Sequence, residues 1–215
     1  MAAFDLEEQE QISQIKAWWE RYGKYITALL LVASVSAVGW QGWQWHQNTK
    51  AAEASALFFA VQQAAETGDA GKAREAAGQL VERYSGTAYA GMGALLSAAV
   101  QAQEGEVRNA RAQLDWVMRN GKGAVLRDIA RLRIAVLLFG EDSHEEALSL
   151  LSPAPHASLA ARYAELRGDI QAVAGRKDEA RKAYDEALLA LSRTPGQAAE
   201  RLSGIVRVKL DALES

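Results

Sequence analysis

The side chains that most often carry chemistry are sparse in this sequence. Its three histidines, His46, His144 and His156, are scattered, with no second histidine or carboxylate at ligand spacing, so they compose no metal site. Cysteine is absent, which excludes disulfides and thiolate ligands and leaves the redox compartment open. Glu145-Glu146 and Asp178-Glu179 come nearest to paired catalytic carboxylates. Each pair opens an amphipathic stretch, where acids complement the positive end of a helix dipole. No glycine-rich phosphate loop follows a strand-like run, and no nucleophile elbow occurs. The expectation is a non-enzymatic chain with no catalytic residue, cofactor or metal, whose chemistry is binding.

The partner class follows from charge. A formal charge of -3 and a pI near 5.7 lack the clustered cationic excess that phosphate backbones demand, so nucleic acid is excluded and the partners are protein. The 215 residues hold 17 Gly, three Pro and 24% charged side chains on an alanine-rich background, a balance that favours packed helices. The fold class is all-α.

Residues 25–45 read YITALLLVASVSAVGWQGWQW, 21 residues without a charge. A helix crossing about 30 Å of hydrocarbon needs about 20 apolar residues. Aromatic side chains gather at both ends, Trp18, Trp19, Tyr22 and Tyr25 before the span and Trp40, Trp43 and Trp45 at its exit, where amphipathic rings favour headgroup depth. A buried core helix and a cleaved signal peptide are the rival readings; the long acidic stretch ahead of the span and the aromatic exit speak against the second. Lys16, Arg21 and Lys24 precede the span and only Lys50 follows within twenty residues, so the N-terminus is expected on the cytoplasmic side. The domain plan is then a tail over 1–24, a span over 25–45 and, in a bacterium, a periplasmic domain over 46–215. In the tail, Ile12, Ile15, Trp19 and Tyr22 share a helical face, either lying on the bilayer surface or docking a cytoplasmic partner.

Beyond Lys50 a local pattern recurs: a helical stretch, a turn containing Gly or Asp, then a second helix opened by a small residue. The turns begin at Gly68, Gly105, Asp142 and Gly175, and their closing alanines, Ala73, Ala110, Ala147 and Ala180, are 37, 37 and 33 residues apart. Periods in this range mark helical solenoids, whose hairpins bury their apolar surface only by stacking. Residues 163–189 resemble a tetratricopeptide repeat, with Gly168, Gly175, Ala180, Tyr184 and Ala187 at its signature small and aromatic positions. Gln171 replaces the usual Tyr, the terminal Pro is displaced to Pro195, and Ala98 and Ala135 stand where Gly168 does in more degenerate units. Residues 197–213 read as a C-terminal capping helix.

The order of features along the whole chain resembles the YfgM-like ancillary subunits of the bacterial SecYEG translocon. The elements that carry the resemblance are the acidic tail, Trp18-Trp19, Gly23-Lys24, Gly39-Trp40, Trp45-His46 and the segment Leu166-Arg167-Gly168-Asp169, with 152–158 the loosest region. The resemblance implies an inner-membrane protein beside the Sec channel, partnered by a PpiD-type periplasmic chaperone and assisting newly exported or unfolded polypeptides. A structural scaffold or assembly protein of the cell envelope, acting through the same repeats, is the alternative.

In a tetratricopeptide solenoid the first helix of each unit lines the inner wall. That geometry places Met92, Leu95 and Ala99, then Ile129, Leu132, Val136 and Phe139, on an apolar wall, with Arg162, Glu165 and Asp169 making its last unit polar. An apolar wall suits exposed hydrophobic segments of other chains. Because Ile134, Ala135, Leu137 and Leu138 make the middle helix apolar all round, the same residues read equally as buried core.

Overall fold

In the computed structural model the backbone is described for residues 2–194 and 196–213, and side chains for residue 16, 18–194 and 196–213. Ile12, Ile15 and Pro195, singled out above, lie outside the described side chains. Among the described residues the secondary structure is helical: α1 Ala2–Glu66, α2 Ala70–Tyr84, α3 Ala88–Gln103, α4 Val107–Asn120, α5 Ala124–Gly140, α6 His144–Leu150, a 3-10 turn Ala157–Leu159, α7 Ala160–Val173, α8 Lys177–Ser192 and α9 Gln197–Ala212. The chain divides into two compact units, 1–50 and 51–215.

The first unit is helical throughout its described part. From Trp18 onward α1 is long and apolar enough to cross a membrane, and the side chains of that apolar stretch have no protein packed over them. The second unit is a stack of antiparallel hairpins: residues 51–66 of α1 with α2, then α3 with α4, α5 with α6, and α7 with α8, closed by α9.

One turn builds all four hairpins. Gly68, Gly105, Asp142 and Gly175 take left-handed backbones at φ of 69°, 80°, 59° and 75°. The N–H one residue later reaches back five residues to a carbonyl, Asp69 to Ala64 at 2.9 Å, Glu106 to Gln101 at 2.7 Å, Ser143 to Leu138 at 2.9 Å and Arg176 to Gln171 at 2.9 Å. These are Schellman bonds, which satisfy the orphan carbonyls of the ending helix while turning the chain into the next. The closing alanines Ala73, Ala110, Ala147 and Ala180 are all 0% exposed. A larger side chain there would force the hairpin apart.

The two helices of each hairpin meet through pairs of residues sixteen apart, and their sizes compensate. Gly168 faces Tyr184, whose ring carbons Cε1 and Cδ1 would lie 2.4 and 2.5 Å from a Cβ built at position 168. The equivalent pairs, Ala98 with Leu114 and Ala135 with Leu151, are buried in one cluster, and Val61 with Ala77 in another. Bulk removed from one helix returns on its partner, so interior density is kept while sequence drifts.

The third hairpin departs from the pattern. Its second helix, α6, ends at Leu150 after seven residues, followed by a loop containing Pro153 and Pro155. Buried Asp128 holds that loop: its Oδ2 accepts the His156 N–H at 2.8 Å, and its Oδ1 pairs with Arg131 at 2.7 Å. Tyr163 donates its hydroxyl to the Asp128 carbonyl at 2.8 Å. A polar anchor thus stands where the other units have another helical turn. Along the turn edge, Arg74–Glu106, Arg111–Glu146 and Glu145–Arg176 pairs tie successive second helices together, each with an exposed member and individually worth little.

The helix α9 covers the last hairpin with Leu202 and Val206, packed among Ala164, Tyr184 and Leu191. A polar latch completes the contact. Lys209 Nζ lies 3.0 Å from Glu165 Oε1 and 2.7 Å from Asp169 Oδ2, and Tyr184 donates its hydroxyl to Asp169 Oδ1 at 2.9 Å. Burial works against the Lys209 ammonium, but its bonds to Asp169 and Glu165 outweigh that and hold its pKa above the ordinary 10.5. Burial, then the Asp169 bond, raises Tyr184 from its ordinary 10.0 as well.

Three outcomes are expected. Gly168→Ala should cost about 2 kcal/mol through overpacking, and adding Tyr184→Leu should recover most of it, read as non-additivity in a thermal double-mutant cycle. Asp142→Gly should gain about 0.5 kcal/mol by relieving a left-handed non-glycine, measured by urea titration. Both latch groups have raised folded-state pKa values, so their stabilisation is complete below their ordinary values and is lost as pH rises. The melting temperature of the wild type should therefore fall above about pH 10 more steeply than that of the Lys209→Met, Tyr184→Phe double variant.

Candidate protein-binding face and membrane segment

Neighbouring first helices α3, α5 and α7 touch one another in sequence along the stack. Each turns one face away from the core. On α5 this face carries Val125, Ile129, Arg133 and Val136, spaced four, four and three residues apart, as residues on one side of a helix must be. Val136 is 50% exposed and Val125 37% exposed, while Ile129 is half-buried. The matching positions on α3 are Met92, Leu96 and Ala99, all half-buried; on α7 they are Arg162, exposed, Leu166, buried, and Asp169, half-buried.

The residues expected on the wall therefore divide by role. Met92, Ala99, Ile129 and Val136 reach the outward face. Leu132 and Phe139 are half-buried and, like Ile129, pack against the main core cluster, with Phe139 also against the His144 ring at 5.6 Å between centroids. Leu95, only 6% exposed, belongs to that core. Glu165 is 7% exposed and is spoken for twice, by Arg162 at 3.0 Å and by Lys209. Asp169 is likewise held in the α9 latch. The polar end of the wall is thus charge-compensated within the chain itself.

Four members of this arrangement, Leu96, Val125, Arg133 and Lys209, were not singled out by sequence reasoning. Arg133 follows Ile129 by four residues and precedes Val136 by three, so its place on the wall was available from spacing. Its guanidinium donates through Nη1 to the Leu95 carbonyl of α3 at 2.7 Å. Lys209 had no such signal, because its partners lie 40 and 44 residues away.

The histidines stay apart. His46 is exposed, His144 lies 3.8 Å from Asp142, and the His156 ring pairs with the Ser158 hydroxyl at 2.9 Å. Among the described residues no three His, Cys, Asp or Glu side chains gather in a way that could hold a metal ion.

In the first unit the aromatic residues flanking the apolar stretch, Trp18, Trp19, Tyr22, Tyr25, Trp40, Trp43 and Trp45, are all exposed. Trp18 and Tyr22 stack obliquely at 5.8 Å, Trp40 and Trp43 at 5.6 Å, and Lys24 Nζ lies 5.1 Å from the Tyr25 ring centroid. The Trp19 indole folds against Gly23, where an added Cβ would meet ring atoms at 3.0–3.2 Å. Thr27 donates to the Gly23 carbonyl at 2.8 Å, so its hydroxyl is satisfied without water.

Comparison with known proteins agrees with this architecture. The family model described as a tetratricopeptide repeat-like domain matches residues 16–215. The ancillary SecYEG translocon subunit of Haemophilus influenzae is 31% identical over 185 residues, covering 86% of this chain and 90% of the relative. That of Neisseria gonorrhoeae is 28% identical over 216 residues, covering 99% and 100%, and that of Escherichia coli is 26% identical over 181 residues, covering 83% and 85%. With its apolar first helix, its four hairpins and these relatives, the chain belongs to the tetratricopeptide repeat-like family of ancillary SecYEG translocon subunits.

Proposed function

We propose that this protein is a non-enzymatic, membrane-tethered binding subunit that acts beside the Sec translocon, receiving polypeptide on the outward face of α3, α5 and α7. The observation that carries the reading is Val136: a β-branched apolar side chain, half exposed, in the middle of a wall formed with Met92, Leu96, Val125 and Ile129. Apolar surface held in water at the centre of a repeat stack favours association with another chain. The relatives' shared name supports the translocon as the place where this happens.

In this reading residues 25–45 span the bacterial inner membrane, 1–24 face the cytoplasm and 46–215 the periplasm, with Lys16, Arg21 and Lys24 on the inner side. The binding face then meets exported chains as they emerge, in company with a periplasmic chaperone of the PpiD type. Tethering raises the effective concentration of a weak binding face near the channel, so modest affinity suffices.

The test is affinity capture of the full chain from membranes in mild detergent. Wild type should retain translocon subunits. Val136→Gln should retain several-fold less while melting within about 0.5 kcal/mol of wild type, because the residue is outside the core. Leu132→Ser, by contrast, should cost about 2 kcal/mol, as a residue packed on the core. Capture of further copies of this chain alone, with no translocon subunit, would contradict the proposal.

A further inference from the structure

The charge pattern of the wall narrows what it can receive. The helix α3, Ala88–Gln103, contains no charged residue. On α5 and α7 Arg131 pairs with Asp128, Arg162 with Glu165 and Arg167 with Glu186, and Lys209 of α9 pairs with Glu165 and Asp169. Arg127, on the opposite side of α5 from the wall, and Arg133, on the wall, are the exceptions, Arg127 donating instead to the Gly121 carbonyl. Arg133 has none within ion-pair reach among the described residues; its bond is to a neutral carbonyl, that of Leu95. It is flanked on its own helical face by Ile129 and Val136.

Resting on the proposal that this face binds polypeptide, we propose that the segment it prefers is apolar and carries an acidic side chain, whose carboxylate pairs with Arg133. An apolar segment laid across Val136 and Ile129 also covers the guanidinium, taking a charge out of water with only one backbone acceptor to replace its hydration. That is strongly unfavourable unless the incoming chain supplies the counter-charge. A lysine or arginine at the same place adds like-charge repulsion to the desolvation. The planar guanidinium can meet a carboxylate with parallel N–H bonds, so an aspartate or glutamate turns the cost into specificity. Partial burial of the guanidinium lowers its pKa, while Arg133 as a whole is still exposed, so a covering segment removes hydration that is in place.

The experiment uses the full chain in lipid nanodiscs and three short fluorescent peptides of one Leu- and Val-rich scaffold, acetylated and amidated, with Glu, Gln or Lys at the centre. Anisotropy should show the Glu peptide binding roughly tenfold tighter than the Lys peptide, with Gln between them. The preference should shrink in high salt, reverse in Arg133→Glu and vanish in Arg133→Gln, both variants melting as wild type does. If all three peptides bind equally and Val136→Gln weakens all three, the binding face stands and the acidic preference is overturned. If no peptide binds the wild type, the face itself is overturned and the preference with it.

Discussion

The whole repeat unit depends on one backbone constraint: a helix must end in a left-handed residue, return an N–H to the carbonyl five residues earlier, and restart at an alanine with no room around it. This occurs at Gly68, Gly105, Asp142 and Gly175. The left-handed residue fixes the direction of each hairpin, and the buried alanine fixes how closely its two helices approach. Once both are set, the sixteen-residue pairs are forced into contact, and their side chains can trade volume so long as the sum is kept. Gly168 with Tyr184 and Ala135 with Leu151 are two solutions to the same packing problem.

The outward face is a consequence of that stacking. In every first helix, one side must pack on its own second helix and another on the next unit, which leaves a third side without a partner. On α5 this leftover side is apolar apart from Arg133. On α7 it is polar, and the last neighbour, α9, answers with Lys209 instead of a leucine. The stack is therefore closed by an ionic latch at its C-terminal end and left open along its middle, where a partner can lie.

Much of this was legible in the sequence. The turns are local signals, a Gly or Asp followed five residues later by Ala, and local signals survive the drift that made three of the four repeats degenerate. The apolar stretch between two aromatic clusters is equally local. The shortening of the third unit was not foreseen; it falls at 152–158, where the family resemblance is loosest and where Pro153 and Pro155 lie. What escaped was whatever depends on depth. Leu95 and Leu132 occupy the same repeat position, yet one is core and the other half-buried, because burial depends on the neighbouring unit. Ile129 and Val136 share a face with Arg133, but a hydrophobic pattern passes over a lone arginine. The α9 latch joins residues 40 and 44 apart and carries no periodicity at all.

The most direct test of the account places a photo-crosslinking residue at position 136, on the outward face, and in a parallel chain at position 75, an exposed site on the second helix of the first hairpin. Both are irradiated in intact bacterial membranes engaged in export. The account predicts that position 136 forms adducts with translocon subunits or exported chains and that position 75 does not. Equal labelling from both positions, or adducts from position 136 to copies of this chain alone, would contradict it.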